Sequence, residues 1–112
     1  MCNQNQLKKL LDDVAENSRN IFRDSLHSVI LFGSYARGDY DEESDVDIFI
    51  IADVESDELH HFRKQINVLC GNLLMEYGVV VSIIEKDLKT YNRYADILPL
   101  YKNIAKEGVR IA

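Results

Sequence analysis

Two aspartates one residue apart, Asp45 and Asp47, open the most apolar run of this sequence, Val46 to Ala52. On an extended strand, residues i and i+2 point to the same face, roughly 6.5–7 Å apart along the chain. Their carboxylates can then converge on one hard divalent cation such as Mg²⁺. Two carboxylates leave much of that cation's shell unfilled, and nucleotide phosphate oxygens are its usual complement in phosphoryl-transfer sites. The pair Gly33-Ser34, separated from Asp45 by ten residues, closes another short apolar run. A glycine there lets backbone approach a ligand, and a helix starting at Ser34 would offer N–H groups and a hydroxyl to an anion. Arg37, one turn into that helix, is the only base among the neighbouring acids and is suited to a phosphate or to those carboxylates.

The charge distribution isolates the same stretch. The chain has 13 Lys and Arg against 19 Asp and Glu, and six of the acids (Asp39, Asp41, Glu42, Glu43, Asp45 and Asp47) lie within nine residues. The whole net charge of -6 therefore sits in one segment. Crowded carboxylates raise one another's pKa unless a cation or solvent relieves them. An acidic chain also argues against sequence-independent nucleic-acid binding, which rests on clustered Lys and Arg.

The elements that must hold these residues are legible from periodicity. Leu7, Leu10, Leu11, Val14, Ile21 and Phe22 form one stripe of a first helix ending near Asp24 or Ser25. Ser28 to Phe32 reads as a buried strand halted by Gly33, and Val46 to Ala52 as a central strand covered on both faces. Ser56, followed by Asp57 and Glu58, is placed to cap a long helix with the stripe Leu59, Phe62, Ile66, Leu69, Cys70, Leu73 and Leu74, stopped by Gly78. Val79 to Ile84 reads as a third strand, Lys86 to Tyr94 as a turn or short helix, and Pro99 to about Glu107 as a last helix. Val109 to Ile111 suits an edge strand. The expectation is one α/β domain over residues 1–112, a small mixed sheet flanked by helices. With 112 residues, 46% of them hydrophobic, the chain can close its own core. No apolar run approaches the roughly 20 residues of a membrane span, and Met1 to Leu11 lacks the form of a signal peptide, so a cytoplasmic protein is expected.

In order, these residues form a recognisable whole. The stretch GSYARGDYDEESDVDIFI resembles the signature of the DNA polymerase beta-like nucleotidyltransferase superfamily, and in particular its minimal nucleotidyltransferases. The tail LPLYKNIAKEGVRI is similar to members that act as antitoxins beside HEPN-domain toxins. The resemblance implies the polymerase beta-like fold, with Gly33 and Ser34 holding nucleotide phosphates and Asp45 and Asp47 binding Mg²⁺ or Mn²⁺. It implies transfer of AMP from ATP to a hydroxyl, typically a tyrosine of a HEPN partner that is thereby silenced. The superfamily usually places a third acid on the neighbouring strand, and here the matching position is Ser82. Glu85 has the opposite parity and would point away. Without a third carboxylate, general-base help worth about 10² to 10⁴ in rate must come from elsewhere. An antitoxin that acts by binding alone, and an enzyme modifying a small molecule, are the competing readings.

Other residues read as structural. His27, His60 and His61 lack a second ligand at i+4 and suit solvent or packing. Tyr91, Tyr94 and Tyr101 suit packing more than an interface, and Cys2 and Cys70 suit free thiols.

Overall fold

The computed structural model describes residues 3–41 and 43–112; Cys2 and Glu42 lie outside the described residues. A 19-residue helix α1 (Gln4–Phe22) opens the fold, capped reciprocally by the Asn3 and Gln6 side chains. Its stripe buries Leu10, Val14 and Phe22. A 3-10 turn over Arg23–Ser25 leads into β1 (Leu26–Phe32), which begins two residues before Ser28 and so takes in an exposed His27. Gly33 ends β1, the single-turn helix α2 (Ser34–Arg37) follows, and the acidic loop returns the chain to β2 (Val46–Ala52).

Helix α3 (His60–Tyr77) and β3 (Val81–Asp87) complete the crossover to a strand parallel to β2, and α4 (Leu88–Tyr94), α5 (Pro99–Glu107) and the short β4 (Val109–Arg110) close the chain. The sheet order is β3-β2-β1-β4, with β1 antiparallel to both of its neighbours. The expected mixed α/β sheet is present, and β2 lies inside it.

Both faces of β2 are covered. Val46, Ile48 and Ile50 face α1 and α3, in a core with Leu10, Val14, Val29, Leu31, Ile66 and Leu73. Phe49 and Ile51 face the other way, against Tyr101 and Ile104 of α5, with Tyr91 and Tyr94 of α4 packed alongside. Each fully buried large side chain of this kind contributes about 1.5–3 kcal/mol. The tyrosine cluster is thus packing, as expected: Tyr101 is 3% exposed, with its ring 5.6 Å from that of Phe49.

Several local readings are corrected. Ser56 makes no capping bond; Ser56–Glu58 form a 3-10 turn, and α3 starts two residues later. Leu74 is 46% exposed rather than core, because Leu69 and Leu73 already fill the face that meets the sheet. The third strand covers Val81–Asp87 instead of Val79–Ile84. Gly78 leaves α3 in the left-handed conformation, Val79 is buried and Val80 is turned to solvent before regular pairing with β2 begins. Lys86 and Asp87 therefore belong to β3, and Asp87 caps α4 by accepting from the Thr90 amide at 2.9 Å.

Candidate active site

Gly33 has φ 74° and ψ -154°, a region that only glycine occupies without strain. The reason is Asp47. A methyl group added at Gly33 would lie 3.2 Å from the Asp47 carboxyl carbon, 3.4 Å from its Cβ, and closer still to Oδ2. The cross-strand register explains the contact, since Phe32 pairs with Asp47 and Gly33 is the next residue. The strand-closing glycine and the second aspartate of the motif are therefore in van der Waals contact.

Asp45 precedes β2 by one residue, so the aspartate pair straddles the strand's first residue instead of lying wholly within it. Asp45 is exposed and Asp47 half-buried. Burial raises the Asp47 carboxyl above the usual carboxylate range, the nearby Asp45 charge raises it further, and Arg37 opposes both. The three side chains are thus electrostatic neighbours. A divalent cation would relieve the conflict between the carboxylates, so the donor set fits a hard cation whose remaining ligands come from elsewhere. Among the described residues, no three His, Cys, Asp or Glu side chains come together as a ligand set.

Helix α2 is built on two carbonyls. Gly33 O accepts from the amides of Ala36 and Arg37, each at 3.1 Å, and Ser34 O accepts from Gly38 at 2.9 Å and Asp39 at 3.1 Å. These bonds use the amides that follow Tyr35 and leave that of Ser34 out of the turn, at the end nearest Asp47. Arg37 donates from Nε to Asp39 at 3.1 Å and from Nη1 to Glu107 of α5 at 3.4 Å. The hydrogen bond to Asp39, then that to Glu107, raises its pKa, so the guanidinium is firmly charged.

Ser82 pairs in register with Asp47 across the parallel β2–β3 ladder. It is exposed and shares the parity of Asp47, Phe49 and Ile84. Glu85 occupies the opposite face, buried, with Arg63 of α3 donating to it at 2.5 Å. The parity expected for both residues is therefore observed, and Glu85 is engaged on the far side of the sheet.

Two cavities border these elements. One of 230 Å³ is lined by Tyr35, Glu43, Ser44, Asp45 and the Gly78–Val80 segment. Its residues lie in α2, the acidic loop and the α3–β3 turn, and no sequence pattern joins them. Asp41 shapes the loop: Ser44 Oγ accepts from its amide at 3.0 Å, and its Oδ1 accepts from the Glu43 amide at 2.9 Å. The larger cavity, 390 Å³, lies between α1 and α3 and is lined by Asn17, Asn20, Lys64, Gln65 and Asn72 among others, none of them part of the motif. Size alone does not make it the reactive site, since it offers no carboxylate to hold a metal and no base beside Lys64 to activate it.

The histidines and cysteine behave as expected. His27, His60 and His61 are exposed, and Cys70 is a free thiol whose pKa is raised by burial and then by Glu85.

Comparison with known proteins assigns the family. The model of the nucleotidyltransferase domain matches residues 7–111. Two Methanocaldococcus jannaschii proteins named "putative protein adenylyltransferase" are similar. MJ0604 is 36% identical over 90% of this chain and 93% of its own, and MJ0141 is 38% identical over 76% and 86%. Among solved structures, a toxin-antitoxin crystallised with AMP-PNP superposes with a TM-score of 0.59 at 19% identity, covering 91% of this chain and 72% of the other. A mutant of the toxin-antitoxin MntA-HpeT gives 0.52 at 20% identity, covering 98% and 73%. The two superpositions establish the shared fold, and the match over nearly the whole sequence establishes that this chain belongs to the nucleotidyltransferase domain family.

Proposed function

We propose that this nucleotidyltransferase transfers AMP from ATP to a hydroxyl of a protein partner, a tyrosine of a HEPN-type toxin, and so acts as its antitoxin. The seating of Asp47 against Gly33, with Asp45 two residues away, carries the reading. In it Asp45 and Asp47 would hold Mg²⁺ or Mn²⁺, which would supply positive charge to offset that of the nucleotide phosphates. Gly33 and Ser34 receive the phosphates at the start of α2, and Arg37 supplies a cation on their flank. The acceptor oxygen bonds to the α-phosphorus as its proton passes to water, the bond from that phosphorus to the oxygen bridging the β-phosphate breaks, and pyrophosphate leaves. The protein adenylyltransferase names of the M. jannaschii relatives support a protein acceptor, and the toxin-antitoxin structures sharing the fold support a toxin as that protein.

Ser82 favours a second reading, an antitoxin that neutralises by binding with little or no catalysis. It leaves the Asp47 face without a third carboxylate, and Glu85 cannot substitute from the opposite face. One experiment separates the two. The chain is incubated with α-labelled ATP, Mg²⁺ and its toxin partner, alongside the variant Asp47→Asn. The transferase reading expects label on the partner, a loss of about 10²-fold or more in the variant, and loss of neutralisation with it. Neutralisation by an unlabelling Asp47→Asn variant would establish the binding-only reading instead.

A further inference from the structure

Charge is divided sharply along the sequence. From Leu88 to the end there are five bases (Lys89, Arg93, Lys102, Lys106 and Arg110) and two acids (Asp96 and Glu107), while the preceding 87 residues carry eight bases and 17 acids. A chain with net charge -6 thus ends in a segment of net charge +3. The fold gathers that segment on one surface, because α4 and α5 cover the same face of the sheet.

Four of the five bases fall into two rows. On α4, Lys89 and Arg93 are one turn apart, and Ile97 continues the same spacing. On α5, Leu98, Lys102 and Lys106 repeat it, with the Lys102 amide donating to Leu98 O at 3.0 Å. The rows flank the α4–α5 turn along the chain, where Ile97 is 66% exposed and Leu98 40%, and Leu100 in the first turn of α5 is 38% exposed. All four bases are exposed. Lys89 reaches Glu55 only at 3.6 Å, both side chains well solvated, so it stays available to a partner. Arg93 lies over the Tyr94 ring.

An apolar centre with a charged rim is the anatomy of a protein-binding patch, and contiguous exposed aliphatic side chains are costly to leave in water. Single-stranded nucleic acid is held by bases together with aromatic stacking platforms, and the exposed centre here is aliphatic. The position relative to the site matters as much. Glu107, in the last turn of α5, pairs with Arg37 of α2, and the sheet face beneath α4 and α5 carries Phe49, two residues from Asp47. Helix α5 therefore leads from the turn to the Arg37 side of the site, and a protein seated on the turn and lying along α5 would reach the face that carries Asp47.

We propose that the Ile97–Leu98 turn and Leu100 at the start of α5, with the rows Lys89–Arg93 and Lys102–Lys106, form the docking surface for the protein acceptor, whose contact patch is apolar at its centre and acidic at its rim. The inference rests on the reading of the chain as an enzyme that modifies a protein.

The test uses the full chain and its co-expressed HEPN-type toxin, with binding measured by titration calorimetry and AMP transfer measured separately. Ile97→Asp, and the double charge reversal Lys102→Glu with Lys106→Glu, should each weaken toxin binding and raise the half-saturating toxin concentration about tenfold or more. The nucleotide dissociation constant should not move, and the charge-reversal effect should shrink at high salt. Reversal of the exposed Lys8 and Lys9 on α1 serves as a control and should change neither. Circular dichroism confirms folding of each variant, all of them at exposed positions. Toxin binding that survives the α5 variants, or is lost equally in the α1 control, would overturn the proposal, as would binding of the basic rows to anionic vesicles or RNA in place of the toxin. Toxin docking through the turn without AMP transfer would overturn the acceptor role given to this surface together with the transferase reading, whereas transfer unaffected by the turn variants would overturn the docking surface alone.

Discussion

Replacing Gly33 by alanine tests the contact on which the site is built. The backbone at φ 74°, ψ -154° lies in a region costing about 1–3 kcal/mol for a residue with a Cβ. The new methyl also meets the Asp47 carboxylate, 3.2 Å from its Cγ. Displacing a half-buried side chain from its rotamer adds roughly 0.5–1.5 kcal/mol, so the total is about 1.5–4.5 kcal/mol. Gly38 provides the comparison: its φ is 85°, yet a methyl there meets nothing within 4 Å. Gly38→Ala should therefore cost only the left-handed penalty of about 1–2 kcal/mol. Urea denaturation of Gly33→Ala, Asp47→Ala and the double variant closes a cycle in which the clash appears as a coupling of about 0.5–1.5 kcal/mol. The expected sign is that Gly33→Ala costs less when Asp47 is already alanine. Strict additivity, or a Gly33→Ala loss no greater than that of Gly38→Ala, would refute the contact between the bend and the carboxylate.

Asp47→Asn should be more stable than the parent at neutral pH. Burial and Asp45 raise the Asp47 pKa in the folded state, so the folded chain binds the proton more tightly than the unfolded chain. Stability is then lost as pH rises from the ordinary carboxylate pKa through the raised value. The advantage of the asparagine, a fraction of about 1 kcal/mol for so solvated a group, should vanish in acid; melting curves across pH check this. Arg63→Ala leaves the buried Glu85 carboxylate without its cation and should cost about 1–3 kcal/mol, with Glu85→Leu in the same background recovering most of it. Ser82→Asp places a carboxylate in register beside Asp47. It should tighten Mn²⁺ binding about tenfold and raise AMP transfer by up to about 10², measured by calorimetry and by initial rates.

The site's frame was legible because strand parity is a strict rule. The nearly continuous apolar run Val46–Ala52 marked a strand covered on both faces, and period two placed Asp47 with Ser82 and against Glu85. What the sequence hid depends on tertiary geometry. Nothing local announces that Glu107 reaches Arg37 across 70 residues, or that the acidic loop and the Gly78–Val80 turn enclose a cavity beside Asp45. The start of β3 was misread because Val79 and Val80 are as β-prone as Val81, and only the left-handed exit at Gly78 decides where pairing begins. Leu74 looked like core because a stripe of seven apolar residues is wider than the face α3 presents to the sheet.

The most direct measurement is binding of Mn²⁺, followed by its electron paramagnetic resonance signal, to the chain with and without AMP-PNP. The account predicts a bound signal that requires nucleotide, survives in Ser82→Ala, and is lost in both Asp45→Asn and Asp47→Asn. Nucleotide-dependent Mn²⁺ binding undiminished in the two asparagine variants would place the metal elsewhere and contradict it.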